Sequence, residues 1–457
     1  MRNTLMQLWL ITVVPQPAQP LTPPLRPQLL SKPLTLSPRP QLSRQLSRLS
    51  RIKLAAAEAD EAPGTVLGSA ALVAGTTVGA GILALPAKTL AAGLAPTATL
   101  LVGGWAFMAA TGLLIAEVDL NTACVLDRDA VSINSMAEET LGDAGATAAS
   151  AVFLFLHYCL LTAYVVQGGQ LLGEALGGAD TYVAAPAFAA CIGAPAALLP
   201  PATVERLNTV LTAGVVASFC YIVAGGLSRI EPELLTRADW SAITPALPVI
   251  PVVYVYQTVV PTLCYRLQCD LDSVRRAVLV GLTIPLCMFL AWSVVVLGST
   301  PYVAGDSVDP LALARASGDD FGTAILYFSL LAVGTSLLGF ATGLVDFFGD
   351  LLGLDGDDRP PYLWAAALAP PAAIAALFGN PSLFFAAVDL AGVYGILVLF
   401  GVVPALMAWG SRYGAEALDA DEAAPEAVPG GRASLGAIAG FAAAIIGLET
   451  YGRLGVG

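Results

Sequence analysis

Long apolar runs follow one another along most of the chain, each bounded by a few polar or turn-forming residues. The runs are continuous and do not alternate between apolar and polar positions, so they predict membrane helices and not the strands of a barrel. Most of them approach the roughly 20 apolar residues that a helix needs to cross a bilayer. Eleven spans are predicted, at residues 66–90, 95–118, 147–175, 182–200, 207–227, 245–267, 276–299, 321–348, 362–379, 383–409 and 434–455.

The composition supports a membrane protein and argues against a water-soluble enzyme. Of the 457 residues, 56% are hydrophobic and only 12% are charged, whereas a soluble domain is about one quarter charged. The single histidine and the lack of a Cys-x-x-Cys pair leave no Cys/His metal site, and no cofactor is predicted. The body of the chain has no basic patch, which argues against a nucleic-acid partner.

The first 57 residues differ from the rest, because they hold eight basic side chains and no acidic one. Residues 15–40 are rich in proline, and residues 41–51 repeat Leu, Ser and Arg. A basic, serine-containing segment without acids is typical of an organelle transit peptide. The apolar residues 5–14 suggest a secretory signal instead, but no A-x-A site follows them. The chain thus divides into a targeting segment, 1–57, which is disordered or removed, and a polytopic membrane domain, 58–457.

The targeting segment predicts the membrane in which the protein resides. The chloroplast inner envelope is favoured, and a mitochondrial, plasma or other cell membrane is the alternative. With the N-terminus on the inner side, the short inner loops carry eight Lys and Arg residues and the outer loops carry five. This bias favours a cytoplasmic or stromal N-terminus.

Span one contains a cluster of helix-weakening residues. Gly75, Gly79 and Gly81 lie within seven residues that also hold two threonines, and such a cluster weakens a helix locally. One interpretation is close helix packing through a small-xxx-small face. The other is an unwound centre, where exposed N–H groups at the start of the outer half-helix meet a carboxylate.

Span six is interrupted as well, since Pro251 and Pro261 bracket a polar stretch that includes Tyr254, Tyr256 and Gln257. A proline inside a span frees a carbonyl and kinks the helix. Spans one and six are the first helices of two five-helix halves. Two interrupted spans at corresponding positions indicate the binding site of an inverted-repeat transporter, which favours the unwound interpretation of span one.

Six stretches resemble, in order, the hydroxy/aromatic amino-acid permease family of tyrosine-specific and tryptophan-specific transporters. They are GSAALVAGTTVGAGILALP (68–86), AEV (116–118), AYVVQGGQLL (163–172), LPVI (247–250), RRAVLVGLTIPL (275–286) and GTSLLGFATGLVDF (334–347). The resemblance covers nearly all of residues 66–412, and the targeting segment predicts a plastid-type member of the family. It implies an all-α, leucine-transporter-like fold of about eleven transmembrane helices, with a five-plus-five inverted repeat whose helices one and six are broken.

The resemblance also implies proton-coupled uptake of aromatic amino acids, tyrosine and also tryptophan, across the lipid bilayer. The alternative is sodium-coupled or uncoupled transport of another neutral amino acid. A passive channel is a second class of function, and a membrane enzyme is the weakest, because no catalytic constellation is recognisable. The chain departs from the family at Tyr256-Gln257, where the family carries Phe-His.

The resemblance places the substrate's amino and carboxylate groups against span one, with three residues of span six facing them. The residues are Ala74, Gly75, Thr76, Thr77, Gly79 and Gly81, and then Tyr254, Tyr256 and Gln257. Glycine lets a ligand approach the backbone closely, and an aromatic substrate could stack on a tyrosine for about 1 kcal/mol beyond burial. The alternative for the tyrosines is a position in an interfacial belt.

Four residues are candidates for ion coupling. Glu117 and Asp346 match acidic positions of the family, and acids within the membrane are costly and usually functional. Glu117 is the first choice for the residue that carries the proton, and the alternative is that it lies at the membrane interface. For Asp346, the alternative is an ion pair with an arginine of a neighbouring loop. Thr335 and Ser336 either help to bind sodium or bond their own helix backbone. His157 of span three could relay protons, but hydrogen-bonded packing is favoured.

Overall fold

The computed structural model describes residues 64–126, 131–304, 309–354, 359–414 and 423–454. The predicted targeting segment, residues 1–57, lies outside them. All regular structure in the described ranges is helical. The α-helices are α1 (Val66–Thr77), α2 (Gly81–Thr89), α3 (Leu94–Leu126), α4 (Ile133–Ala175), α5 (Thr181–Leu198), α6 (Pro201–Gly226), α7 (Pro232–Leu235), α8 (Val249–Val253), α9 (Val260–Arg266), α10 (Leu271–Ser299), α11 (Pro310–Ala316), α12 (Asp320–Leu351), α13 (Pro361–Phe378), α14 (Pro381–Leu390), α15 (Val403–Tyr413) and α16 (Gly431–Arg453).

The helices confirm an all-α, multi-pass membrane protein. Within the described residues, nine helical spans are long and apolar enough to cross a bilayer, and the bent pair α1 and α2 makes a tenth. The predicted sixth span is present as α8 and α9, two short helices on either side of residues 254–259. Span six is therefore not one continuous α-helix, because its polar centre at residues 254–259 is not α-helical. The five-plus-five inverted repeat stays a prediction.

Several helices begin at side chains that cap their free N–H groups. Thr65 accepts a hydrogen bond from the N–H of Gly68 at 3.0 Å before α1, and Asp319 accepts one from Gly322 at 2.7 Å before α12. Such caps satisfy donors that have no partner inside the helix. Inside α4, Gly142 adopts a φ of 72°, which glycine tolerates well. The kink there explains why α4 begins before the predicted span, which starts at residue 147.

The helices pack in two groups. In the first, α10 lies against α1 and α3, while α9 and α8 contact α3; in the second, α4, α5, α12 and α13 pack against one another. Small residues allow close approach in both groups. A Cβ atom on Gly281 would lie 2.6 Å from Cβ of Val73, and one on Gly169 would lie 2.5 Å from Cα of Ala185. Glycine at helix contacts is typical of membrane bundles.

Between α14 and α15, span ten winds as a π-helix over Ala391–Ile396 and again over Val398–Val402. Two glycines of span ten, Gly392 and Gly395, lie close to the chain just before α8 and to α4. A Cβ atom on Gly392 would lie 1.9 Å from the carbonyl oxygen of Pro248, just before α8, and one on Gly395 would lie 2.9 Å from Leu156 of α4. π-Helical turns are rare and frequently mark functional sites. Span ten therefore contacts both helix groups, through α8 in the first and α4 in the second.

Candidate functional site

Span one is broken, as the glycine cluster predicts. The axes of α1 and α2 differ by 59°, and residues 78–80 between them leave the α-helix. The N–H of Ala80 donates a hydrogen bond to Oγ of Ser336 in α12 at 2.8 Å. A Cβ atom on Gly79 would lie 2.5 Å from that oxygen. The glycines thus fit both the unwound-centre and the close-packing interpretation of span one. They allow the helix to break, and they allow the break to lie directly against α12.

The break in span six turns its polar side chains toward span two. The hydroxyl of Tyr256 donates to the carbonyl oxygen of Met108 at 3.2 Å. The side-chain amide of Gln257 donates to the Thr111 hydroxyl at 3.2 Å, and its oxygen accepts from the N–H of Tyr256 at 3.0 Å. Both side chains are fully buried. They are held in place because Gly112 has no side chain: a Cβ atom there would meet the tyrosine hydroxyl at 1.8 Å.

Tyr254 also points into the helix packing. Its ring lies edge-on to that of Phe289 in α10, with centroids 5.3 Å apart and planes at 71°. Its buried hydroxyl has no hydrogen-bond partner in the described part of the chain. The two tyrosines are therefore neither interfacial belt residues nor exposed stacking surfaces in this conformation.

A cavity of about 1140 Å³ lies beside the break in span one, somewhat larger than most small-molecule sites. Six predicted site residues line it: Ala74, Gly75, Thr76, Thr335, Ser336 and Asp346. Seven do not: Thr77, Gly79, Gly81, Tyr254, Tyr256, Gln257 and Glu117. Span six contributes Val255, Thr258, Val259 and Pro261 instead. The structure therefore brings the inner half of span one together with spans six and eight, but with different side chains of span six.

The cavity extends toward the predicted inner side of the membrane. Its lining includes residues 132–135 at the start of α4 and Asp350 near the end of α12. No described residue of α2, the outer half of span one, lines it. On the outer side, Nζ of Lys88 in α2 lies 2.7 Å from Oδ2 of Asp389 in span ten. With the predicted orientation, this arrangement is that of an inward-facing cavity.

One side of the cavity is formed by four aromatic rings, the aromatic wall: Phe153 and His157 of α4, and Phe340 and Phe347 of α12. Phe153 stacks on His157 with centroids 3.9 Å apart and on Phe347 at 4.8 Å, and His157 lies 5.3 Å from Phe340. Sequence reasoning missed the three phenylalanines as site residues. Their spacing was a usable signal, because i, i+4 and i, i+7 positions share one helix face.

Glu117 lies away from the cavity in a buried ion pair. Its two carboxylate oxygens accept hydrogen bonds from Nε and an NH2 group of Arg412, at 2.6 and 2.7 Å, and one also accepts from the N–H of Ala427 at 2.7 Å. The side chain of Glu117 is 1% exposed and that of Arg412 is 7% exposed. A second acid, Glu426, lies 3.3 Å from the guanidinium. Glu117 thus fastens span two to span ten and to the loop before α16.

The other candidate coupling residues already have protein partners. Asp346 lies 3.2 Å from Nε of Arg359, as its alternative reading anticipated, and Asp350 binds the same arginine at 3.2 Å. The Thr335 hydroxyl bonds to the carbonyl oxygens of Leu331 and Ala332 in its own helix, at 3.0 and 3.1 Å. In the described ranges, no three His, Cys, Asp or Glu side chains are grouped to hold a metal ion.

An all-helical membrane protein with two interrupted spans beside a large cavity has the architecture of a membrane transporter. The chain belongs to the tryptophan/tyrosine permease family, whose sequence profile matches residues 63–448. It is therefore a permease, a transport protein and not an enzyme. The resemblance inferred from the motifs is confirmed.

Individual relatives support this assignment. The chain is 30% identical over 365 residues to tyrosine-specific transport system 2 of Haemophilus influenzae, covering 76% of this chain and 87% of that one. It is 27% identical over 368 residues to a tryptophan-specific transport protein of Pseudomonas aeruginosa, with the same two shares. It is also 24% identical over 306 residues to glutamine transporter 2 of Aliivibrio fischeri, covering 63% and 76%.

Proposed function

We propose that this permease is a secondary active transporter of aromatic amino acids, with tyrosine and tryptophan as substrates. The observation that carries the proposal is the aromatic wall, which lines the same cavity as the broken span one. Ring–ring contacts of the offset or edge-to-face kind add about 0.5–1.5 kcal/mol to burial. The names of two relatives, a tyrosine-specific and a tryptophan-specific transport protein, point to the same substrates.

The amino and carboxylate groups of the substrate bind along Ala74, Gly75 and Thr76, which are the predicted span-one residues that face the cavity. Outside its own helix, Gly75 has no heavy atom within 4 Å of the place where a Cβ atom would lie, so a ligand can approach the helix closely there. The Thr76 hydroxyl bonds to carbonyl oxygens of α1 and contributes its oxygen as an acceptor. The remaining predicted residues support the site by holding the two breaks in place.

Uptake into proteoliposomes tests the function. The purified protein should accumulate labelled tyrosine and tryptophan above the outside concentration when an ion gradient is imposed, and unlabelled substrate should drive counterflow. A channel cannot concentrate its substrate, so equilibration without accumulation would contradict the proposal. Gly75→Leu should abolish uptake without loss of folded protein, because the added side chain enters the cavity. Unchanged affinity in that variant would contradict the placement of the substrate.

We also propose that the coupling ion is a proton, as the resemblance implies. One observation disfavours sodium at Thr335 and Ser336: the Ser336 oxygen already accepts a hydrogen bond from the N–H of Ala80. Wild type should accumulate substrate in sodium-free buffer under a pH gradient. If Glu117 carries the proton, Glu117→Gln should exchange substrate but not concentrate it, whereas Asp346→Asn should keep its response. Strict sodium dependence would contradict proton coupling.

A second substrate class, glutamine or another neutral amino acid, is favoured by the likeness to glutamine transporter 2. The aromatic wall distinguishes the two, because an amide side chain gains nothing from ring stacking. Competition for tyrosine uptake measures the difference. Excess glutamine should leave tyrosine uptake unchanged, and inhibition by glutamine as strong as by tryptophan would favour the second class.

The N-terminal segment is proposed to be a transit peptide that directs the protein to the chloroplast inner envelope. The proposal rests on its eight basic and no acidic residues. N-terminal sequencing of the native protein should find the mature chain beginning between residues 54 and 64. An intact Met1 would contradict cleavage, and fractionation with mitochondrial or plasma membranes would contradict the location.

A further inference from the structure

We infer that Nε2 of His157 accepts a hydrogen bond from the side chain of the transported aromatic amino acid. The site thereby selects rings that carry a donor, the phenol of tyrosine or the indole of tryptophan, over phenylalanine. This inference rests on the proposed function and adds the group that distinguishes among aromatic substrates.

The tautomer of His157 follows from the hydrogen bond that its Nδ1 makes. Nδ1 lies 2.8 Å from the carbonyl oxygen of Phe153, one helical turn earlier in α4. A carbonyl oxygen can only accept, so Nδ1 carries the hydrogen. In the neutral imidazole, Nε2 is then a lone-pair acceptor without a hydrogen. Within the described residues no donor is bonded to it.

The ring cannot easily turn this acceptor elsewhere. Phe153 stacks on it at 3.9 Å with the planes at 29°, and Phe340 packs against it at 5.3 Å. Tyr164 lies edge-on to Phe340 at 5.7 Å, behind the aromatic wall. His157 is 2% exposed overall, yet it lines the cavity. A buried acceptor held in one orientation is the kind of group that gives a site specificity.

A glycine of α12 lies close to Nε2. A Cβ atom on Gly343 would lie 3.5 Å from Nε2, and Gly343 itself lines the cavity. His157, Gly343 and the rings of the aromatic wall line the same cavity, where a substrate ring would be stabilised by apolar and aromatic contacts. A phenol or indole donor entering the cavity at this point satisfies Nε2, whereas phenylalanine leaves the acceptor unpaired.

The expected selectivity follows from the value of one hydrogen bond. A neutral hydrogen bond contributes a net of about 0.5–1.5 kcal/mol, which corresponds to about 2- to 13-fold in affinity. Tyrosine should therefore inhibit labelled tyrosine uptake at a concentration lower than phenylalanine by that factor. O-Methyltyrosine keeps the phenol oxygen but lacks its hydrogen, so it should lose the same factor.

Two variants test the assignment in proteoliposomes containing the full-length protein. His157→Phe keeps a ring in the wall but removes the acceptor, and Gly343→Ala covers the acceptor with one methyl group at ordinary contact distance. In both, the ratio of inhibition constants for phenylalanine and tyrosine should fall toward one. Gly334→Ala is the matched control, because it lies on the same helix and outside the cavity, and its methyl group would lie 3.6 Å from Ile192. Its ratio should equal that of wild type.

The outcomes distinguish a failure of the role inferred for His157 from a failure of the proposed function. If wild type accumulates aromatic amino acids without preferring tyrosine over phenylalanine, the proposed function stands and the role of His157 is refuted. An unchanged ratio in Gly343→Ala also refutes it and leaves His157 as a packing residue; this variant decides alone if His157→Phe fails to fold. If wild type transports no aromatic amino acid, the proposed function fails and the inference fails with it.

Discussion

Replacing Gly79 by alanine tests how the break in span one is held against span eight. The new methyl group would lie 2.5 Å from Oγ of Ser336 and 3.8 Å from its Cβ. The first distance is too short for any contact, whereas the second is ordinary. Gly79 is not among the glycines with positive φ, so the backbone itself accepts alanine. The conflict is therefore confined to one oxygen atom.

The oxygen can move away only by giving up the hydrogen bond that it accepts from Ala80 at 2.8 Å. Leaving a buried donor unsatisfied costs about 1–3 kcal/mol, and Gly79→Ala should reduce the free energy of unfolding by that amount. Ser336→Ala loses the same bond and should cost about the same. The double variant loses the bond once and gains room for the methyl group, so it should be no less stable than Ser336→Ala alone.

The assay is denaturant-induced unfolding of the four purified proteins in mixed micelles, read as a double-mutant cycle. Gly75→Ala serves as the control for added volume, because no heavy atom outside its own helix lies within 4 Å of its new methyl group; it should be no less stable than wild type, since alanine favours a helix over glycine by about 0.5–1 kcal/mol. If the cost of the double variant equals the sum of the costs of Gly79→Ala and Ser336→Ala to within about 0.5 kcal/mol, the two residues act independently. That result would refute the reasoning.

Three further contacts lead to predictions of the same kind. Arg412→Met should lower the free energy of unfolding by about 3–5 kcal/mol, because it leaves the buried carboxylate of Glu117 unpaired. Replacing both residues by Met should recover most of that loss, and equal losses in the single and double variants would contradict this. Lys88→Met should slow uptake by removing the ion pair across the outer side, and exchanging Lys88 and Asp389 should restore the rate above that of either single change. Gly112→Ala should destabilise the protein by about 1–3 kcal/mol through overpacking, since its Cβ atom would lie 1.8 Å from the Tyr256 hydroxyl. A stability equal to that of wild type would contradict this and would show that span six moves freely.

Most of the architecture was predictable, because its causes are local in the chain. A bilayer selects continuous apolar runs of about 20 residues, and those runs are visible without any knowledge of their neighbours. The breaks in spans one and six were visible for the same reason, since glycines and prolines weaken a helix wherever it is placed. The π-helical winding of span ten was not visible, because Ala391–Ile396 is ordinary apolar sequence and its winding accompanies close contacts with α4 and α8.

The candidate site was predictable only in part. The sequence identified Gly75 and Thr76 as residues at the centre of span one, and the structure places them on the cavity. It could not show that Tyr256 and Gln257 turn toward span two, because the direction of a side chain at a break depends on what packs around it. There the polar groups of span two and the missing side chain of Gly112 determine the direction.

The partners of the charged and aromatic residues were decided by the tertiary structure alone. Arg412 lies 295 positions after Glu117, and no local pattern links the two. His157 was visible as a lone histidine in an apolar span, but its exposure to the cavity depends on the rotation of α4 against α12. Composition and spacing set which segments enter the membrane, whereas long-range packing sets which side chains meet, because each contact depends on the relative rotation and depth of helices from distant parts of the chain.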